Sequence, residues 1–411
     1  MNSQFMFLVL FLVFIFFDPQ NIFTFLKPLR LAFFSGLFVF LSSATAIIKN
    51  FFKTSQSCLF VMFYLLALFS AFNSIEWDMS KGIIFFLLKC ILLYFAIISI
   101  VNSSDLLKKF IWILIVFISL NIILTMLFAK LGIHGSRGEG WRLRSFFAGE
   151  GDSSNGFAMM MLSFVPFQFY SLNRQQSNAK NFFLIVAIFA TMLGILRTRS
   201  RMGFVGLALI IIMILWDKKK QTKIVFCVLA AILIAIPFTH KRTWERFDTI
   251  SSQVESTEDK ALGGRMIHWK AAFQIIEEYP FFGTGINTFL KAQEDVFMYD
   301  SDADTQHVAH NAYLQVWSEM GIFAVGSFAL LILLSIKDSW LIERKLKDYP
   351  QYYSIHIIAK SVRMGLIAFL LCLIMLSEQY SRILYLLIAI AVSVKNVYQS
   401  EIASNIVKKE S

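Results

Sequence analysis

Three arginines lie within five residues at a short connection between two apolar segments. Arg197, Arg199 and Arg201 would concentrate positive potential there, and Arg201 opens the second segment. Backbone N–H groups at a helix start favour anions, and a planar guanidinium matches phosphate oxygens. The pattern predicts a phosphate site, although arginines that reach from a helix end to the membrane interface would give the same spacing.

A fourth arginine, Arg265, precedes a segment whose apolar residues, 269–276, recur at helical spacing. Gly264 precedes this segment and Pro280 stops it. We expect an amphipathic helix on the membrane surface, with Arg265 in its first turn facing a lipid head group and His268 as a substrate-binding residue. An apolar stripe of this kind also occurs where a helix only packs against protein.

His310 lies where the chain returns to apolar sequence after a long polar loop. A neutral imidazole can take a proton from a hydroxyl near neutral pH, so His310 is a candidate base. Asn311 beside it is a candidate helix cap and substrate-binding residue. A histidine in this place can also be an ordinary surface residue. His307 and upstream aspartates raise a metal site as an alternative, but their spacing matches no ligand pattern, and we predict no metal.

Further arginines lie in the two longest loops. Arg142 and Arg144 belong to the loop 131–152, and Arg242 belongs to the loop 240–309. We predict that they bind substrate together with Arg197 and Arg199. The acidic residues that follow Arg144 leave the alternative that arginines and acids pair with each other.

Apolar segments must position all these residues. The chain is 57% hydrophobic and 16% charged, whereas soluble domains carry about 25% charged residues. About 20 apolar residues cross a bilayer. We therefore predict an all-α polytopic membrane protein with membrane lipids as partners and no nucleic acid. The twelve segments are 5–17, 29–48, 57–74, 82–101, 108–130, 153–172, 180–197, 201–216, 222–239, 310–336, 357–376 and 380–397.

Lysine and arginine in the loops indicate the orientation. With a cytoplasmic amino terminus, the inside loops are the more basic ones once the long loop is left out of the count, as the positive-inside rule requires. Lys218–Lys220 is the strongest inner anchor. We predict helices in 1–239, one long outer loop with an amphipathic helix in 240–309, and helices with an inner tail in 310–411.

Four stretches of the sequence resemble the bacterial O-antigen ligases and polymerases. Their order, their spacing and the long loop all agree with that family, whereas the first third of the chain resembles it only as apolar helices. The stretches are Asp152–Ala158, Ser200–Gly203, Gly264–Gly285 and Ala309–Ile322.

This resemblance implies a GT-C-like glycosyltransferase of the bacterial inner membrane, with its active face in the periplasm. The donor would be a glycan on undecaprenyl diphosphate, without a nucleotide sugar, a cofactor or an obligatory metal. Arg201 and Arg265 match family arginines thought to hold the diphosphate, and His310 matches the histidine at the reacting centre. Direct attack by the acceptor hydroxyl would invert the anomeric carbon.

The acceptor remains open within this family. A ligase passes the glycan to lipid A core, which we favour, and a polymerase passes it to a second lipid-linked repeat. A different class is a lipid-linked glycan flippase without chemistry. Transporters often contain two similar halves, and no internal repeat is visible in this sequence.

Overall fold

The computed structural model describes residues 3–17, 19, 23–131, 142–147, 153–172, 177–217, 258–296, 307–403 and 405–406. Within these ranges the regular structure is helical, and no strand occurs. In chain order the α-helices are α1 (Ser3–Phe17), α2 (Leu31–Asn50), α3 (Ser55–Phe72), α4 (Trp77–Ile100), α5 (Ser104–Lys130), α6 (Ser154–Tyr170), α7 (Asn178–Thr198), α8 (Arg201–Asp217), α9 (Glu258–Glu278), α10 (Phe289–Val296), α11 (Ala312–Leu346), α12 (Tyr353–Leu373) and α13 (Arg382–Val397).

Eight helices of the described chain are long and apolar enough to cross a membrane. They are α2 to α5, α7 and α11 to α13, and α1 and α8 are shorter apolar helices. The prediction of an all-α polytopic membrane protein is therefore confirmed. Segment 222–239 lies outside the described residues, so the total of twelve spans and the three-part division of the chain remain predictions.

Polar side chains fix where many of these helices start. Thr54, Ser103, Ser153, Ser177 and Asn311 each accept a hydrogen bond from a backbone N–H in the first turn of the helix that follows. Such a cap satisfies a donor that the helix itself leaves unpaired. The capping role expected for Asn311 is confirmed.

The interior of the bundle is built around α6, α12 and α13. Almost every side chain of α6 and α13 is buried, and α12 packs against α6, α8 and α11. In contrast, large aromatic side chains on α2 and α7 are exposed, among them Phe33, Phe38, Phe182 and Phe189. Exposed aromatic rings of this number suit contact with lipid, so the outer helices shield the central ones from the bilayer.

Two helix boundaries differ most from the prediction. The amphipathic helix α9 begins at Glu258 instead of after Gly264, so Arg265 lies two turns inside it. A glycine costs only about 1 kcal/mol in a helix interior, so the two glycines do not end it. Helix α11 continues to Leu346 instead of ending at residue 336, and its backbone leaves helical geometry at Gly321, where φ is 81°.

Candidate active site

The turn between α7 and α8 carries the arginine cluster. Arg199 adopts a left-handed backbone conformation with φ of 52° and ends α7. The Ser200 hydroxyl accepts a hydrogen bond from Gly203 N at 3.2 Å, which fixes the start of α8. Arg201 is thereby the first residue of α8, and the side chains of Arg197 and Arg201 are exposed. The unpaired N–H groups of this helix start and the Arg201 guanidinium favour an anion.

The segment 142–147 is fastened to this turn. Arg142 donates from Nε to the carbonyl oxygen of Thr198 at 3.0 Å and from Nη2 to Asn155 Oδ1 at 3.1 Å. Leu143 N donates to the carbonyl oxygen of Arg197 at 3.0 Å. Arg142 therefore holds two loops together, which is a structural task in addition to the predicted substrate binding.

Arg265 on α9 lies close to this arginine cluster. Its Nη1 donates to Met375 Sδ, at 3.6 Å, in the connection between α12 and α13. Burial lowers the pKa of the Arg265 guanidinium, and the positive charge of Arg201 lowers it further. An arginine remains charged in proteins, so two like charges are held near each other in a partly desolvated place. A bound anion would relieve this repulsion.

His310 lies next to Arg265. Burial first, and then the charges of Arg265, His268 and His307, lower the pKa of His310 from 6.5 to about 4. At neutral pH its imidazole is therefore uncharged and able to accept a proton. The backbone of His310 is left-handed, with φ of 51°. Trp269 on α9 donates from Nε1 to the Ala309 carbonyl oxygen at 3.0 Å. This hydrogen bond connects the segment that carries His310 to the helix that carries Arg265.

Three histidine side chains lie close together at this site. The ring centroids of His268, His307 and His310 are separated by 5.8 to 6.4 Å. His268 is buried, and its Nδ1 makes a 2.9 Å hydrogen bond with Oε1 of Gln293, whose Nε2 donates to the His307 carbonyl oxygen at 2.8 Å. No group of three or more His, Cys, Asp or Glu in the described ranges is arranged to hold a metal ion.

A family model described as O-antigen ligase matches residues 183–329, which include Arg201, Arg265 and His310. The match covers a little over a third of the chain, so this part is similar to the O-antigen ligases. The match supports glycan transfer of the O-antigen ligase or polymerase type by a bacterial membrane protein, with lipid-linked glycans as its general substrates. No curated protein matches the chain.

Within the matched part of the chain, the structure shows a buried acid to which the sequence analysis assigned no role. Glu319 on α11 is fully buried, and its carboxylate accepts hydrogen bonds from Asn287 N at 2.9 Å and Tyr380 OH at 2.9 Å. It also accepts from Phe289 N, at 3.4 Å, at the start of α10, and from Gln315 Nε2 at 2.9 Å. Glu319 thus joins the segment after α9, helix α11 and the α12–α13 connection.

A second missed acid lies outside the matched part. Ser153 Oγ donates to Glu378 Oε1 at 3.2 Å, although the two residues are 225 positions apart in sequence. Arg144 is half-buried, and Arg242 lies outside the described residues. The substrate-binding roles predicted for Arg144, Arg197, Arg199, Arg242, His268 and Asn311 remain predictions.

Proposed function

We propose that this protein transfers a glycan from undecaprenyl diphosphate to an acceptor sugar hydroxyl on the periplasmic side of the bacterial inner membrane. The acceptor we favour is lipid A core, which would make the protein an O-antigen ligase. The observation that carries the proposal is electrostatic. The charge of Arg201 acts on Arg265, and the charge of Arg265 acts on His310, so two cations and one neutral base share one site.

The cations suit the leaving group of this reaction. Negative charge on the lipid diphosphate grows as its bond to the anomeric carbon breaks. Fixed donors stabilise such charge most where water is excluded, and removing one of them typically costs about 2.7–4 kcal/mol. Arg201 and Arg265 would therefore act mainly on the rate of bond breakage.

The neutral imidazole suits the nucleophile. The acceptor hydroxyl forms a new bond to the anomeric carbon from the side opposite the diphosphate, which inverts that carbon. The bonding electrons of the old bond leave with the diphosphate, and His310 takes the hydroxyl proton. A base with a pKa of about 4 is weak. A bound diphosphate offsets the charge of Arg265, so donor binding would make His310 a stronger base. No residue nucleophile is needed, and we propose that no metal is either.

Purified protein in liposomes, supplied with a lipid-linked glycan and an acceptor, tests these roles. We expect Arg201→Gln and Arg265→Gln each to reduce the transfer rate by about 100-fold or more, and His310→Gln to reduce it as well. Arg344→Gln is the matched control, since Arg344 lies at the far end of α11 and stacks on Trp340 at 4.9 Å. Normal transfer by the three site variants would overturn the proposal.

Surface polysaccharide from a deletion strain identifies the acceptor. A lipid A core without polysaccharide, together with accumulated lipid-linked polymer, is the result expected for a ligase. A core that carries a single repeat would instead identify a polymerase.

A further inference from the structure

The connection between α12 and α13, residues 374–381, borders the candidate active site. Met375 contacts the Arg265 guanidinium, and Tyr380 OH donates to the buried Glu319 carboxylate. Between these two contacts lies Glu378, whose side chain reaches the Ser153 hydroxyl at the start of α6. One short segment thus contacts Arg265, Glu319 and, through Glu378, the start of α6.

The Glu378 carboxylate lies in a desolvated place. It forms no ion pair with any lysine or arginine of the described chain, and burial raises its pKa to about 7. Part of the side chain is still accessible. Desolvating an acid without a salt bridge is costly, and groups whose pKa is strongly shifted by burial cluster at functional sites.

Buried polar groups flank the hydrogen-bonded pair of Ser153 and Glu378 in sequence. The side-chain oxygens of Ser154, Ser377 and Gln379 are buried, and none of them has a hydrogen-bond partner in the described parts of the protein. Ser154 and Gln379 are only 3% and 1% exposed. Each buried polar group that lacks a partner costs about 1–3 kcal/mol. These three are the immediate chain neighbours of Ser153 and Glu378, so the cost is concentrated at one place.

The chemistry of this place differs from that of the arginines. A carboxylate repels a diphosphate, but it accepts hydrogen bonds from hydroxyls, and serine and glutamine side chains can complete such a set. From this juxtaposition we infer that Glu378, Ser153 and Ser154 form a sugar-binding subsite next to the phosphate-binding arginines. The inference rests on the proposed function. The sugar ring belongs either to the donor glycan or to the acceptor glycan.

Steady-state kinetics in liposomes, with donor and acceptor varied separately, test the subsite. We expect Glu378→Gln to raise KM for one of the two substrates by about tenfold or more, with kcat changed much less. The substrate whose KM rises identifies the source of the sugar. Glu401→Gln is the matched control, because Glu401 also accepts a hydrogen bond from a serine at a helix start, Ser104 N at 3.0 Å, away from the site.

Ser154→Ala distinguishes binding from folding. Because the Ser154 hydroxyl has no hydrogen-bond partner among the described residues, its removal leaves none of them unpaired, and the melting temperature should not fall. We expect KM to rise for the same substrate as in Glu378→Gln. If Glu378→Gln lowers the melting temperature, the KM values of Ser154→Ala alone decide whether the subsite binds substrate. The subsite is overturned if both variants keep both KM values, or if Glu401→Gln has the same effect.

A pH profile adds a readout that a structural role would not move. As the pH falls below about 7, Glu378 takes up a proton and loses acceptor capacity, so KM for the identified substrate should rise in the wild type and stay flat in Glu378→Gln. A wild-type protein without transfer activity would contradict the proposed function, whereas active protein with unchanged KM contradicts the subsite alone. The charged and titratable groups on the neighbouring elements include Arg142, Arg144, Arg197, Arg199, Arg201, Arg265, His310, Tyr313, Glu319, Tyr380, Arg382 and Tyr385.

Discussion

Arg265 and His310 show how a charged neighbour sets the chemistry of a single residue. The imidazole lies in a partly desolvated place, which already disfavours its protonated form, and the guanidinium adds repulsion. The same guanidinium is itself disfavoured by Arg201. An anion bound between these groups would relax both effects, so occupancy by a diphosphate and the basicity of His310 should rise together.

This coupling can be measured at His310 itself. Diethyl pyrocarbonate modifies neutral imidazole, so its rate at His310, followed by peptide mass spectrometry, should rise with pH to a half-maximum near 4 in the free protein. Arg265→Gln removes a cation, and the half-maximum should move toward 6.5, the ordinary pKa of histidine. Lys270→Gln removes an exposed cation from the same helix and should leave the midpoint in place. An unchanged midpoint in Arg265→Gln would contradict the coupling.

The elements that hold the site meet at the break in α11. The segment after α9 crosses this helix closely enough for backbone hydrogen bonds. Ile322 N donates to the Pro280 carbonyl oxygen at 3.0 Å, and Gly285 N donates to the Glu319 carbonyl oxygen at 2.9 Å. At Gly321 a Cβ atom would lie 1.9 Å from the Phe281 carbonyl oxygen. The helix can therefore continue past the crossing segment only with glycine at this position.

Gly321→Ala should accordingly be severe. The added methyl meets backbone on the crossing segment, and the φ of 81° disfavours any other L-residue, so we expect a loss of more than about 3 kcal/mol. Gly326→Ala on the same helix is the control, because nothing lies within 4 Å of its added Cβ. That variant should be neutral or slightly stabilised. Melting temperatures in detergent compare the two, and equal values would show that the crossing is not rigid.

The sequence predicted the bundle well because each apolar segment must satisfy its own backbone hydrogen bonds in lipid, and a helix does so locally. The arginine and histidine candidates were visible for a similar reason, since charged groups are rare in such a chain. Contacts between distant segments were not visible. Glu319 lies in a family-like stretch and Glu378 does not, but for both residues only the packing of α11 and of the α12–α13 connection reveals the partners.

The proposed function also depends on the orientation of the molecule in the membrane. Helix α11 connects the His310 end to a second end, where Arg363 and Lys360 contact Glu343, at 2.6 and 3.8 Å, and where Lys395 pairs with Asp338 at 2.7 Å. Basic residues concentrate at that end, as expected for a cytoplasmic face. The proposed function requires the opposite end, with its arginines and His310, to face the periplasm.

Cysteine labelling tests this direction. In a background without Cys58, Cys90, Cys227 and Cys372, single cysteines are placed by Glu294→Cys on α10 and by Lys347→Cys just after α11, both at exposed positions. Because α11 crosses the bilayer between them, a membrane-impermeant maleimide should modify only the first in cells with a permeabilised outer membrane. Lysis should expose both. Modification of Lys347→Cys with protection of Glu294→Cys would place the arginines and His310 in the cytoplasm, where a periplasmic acceptor cannot reach them.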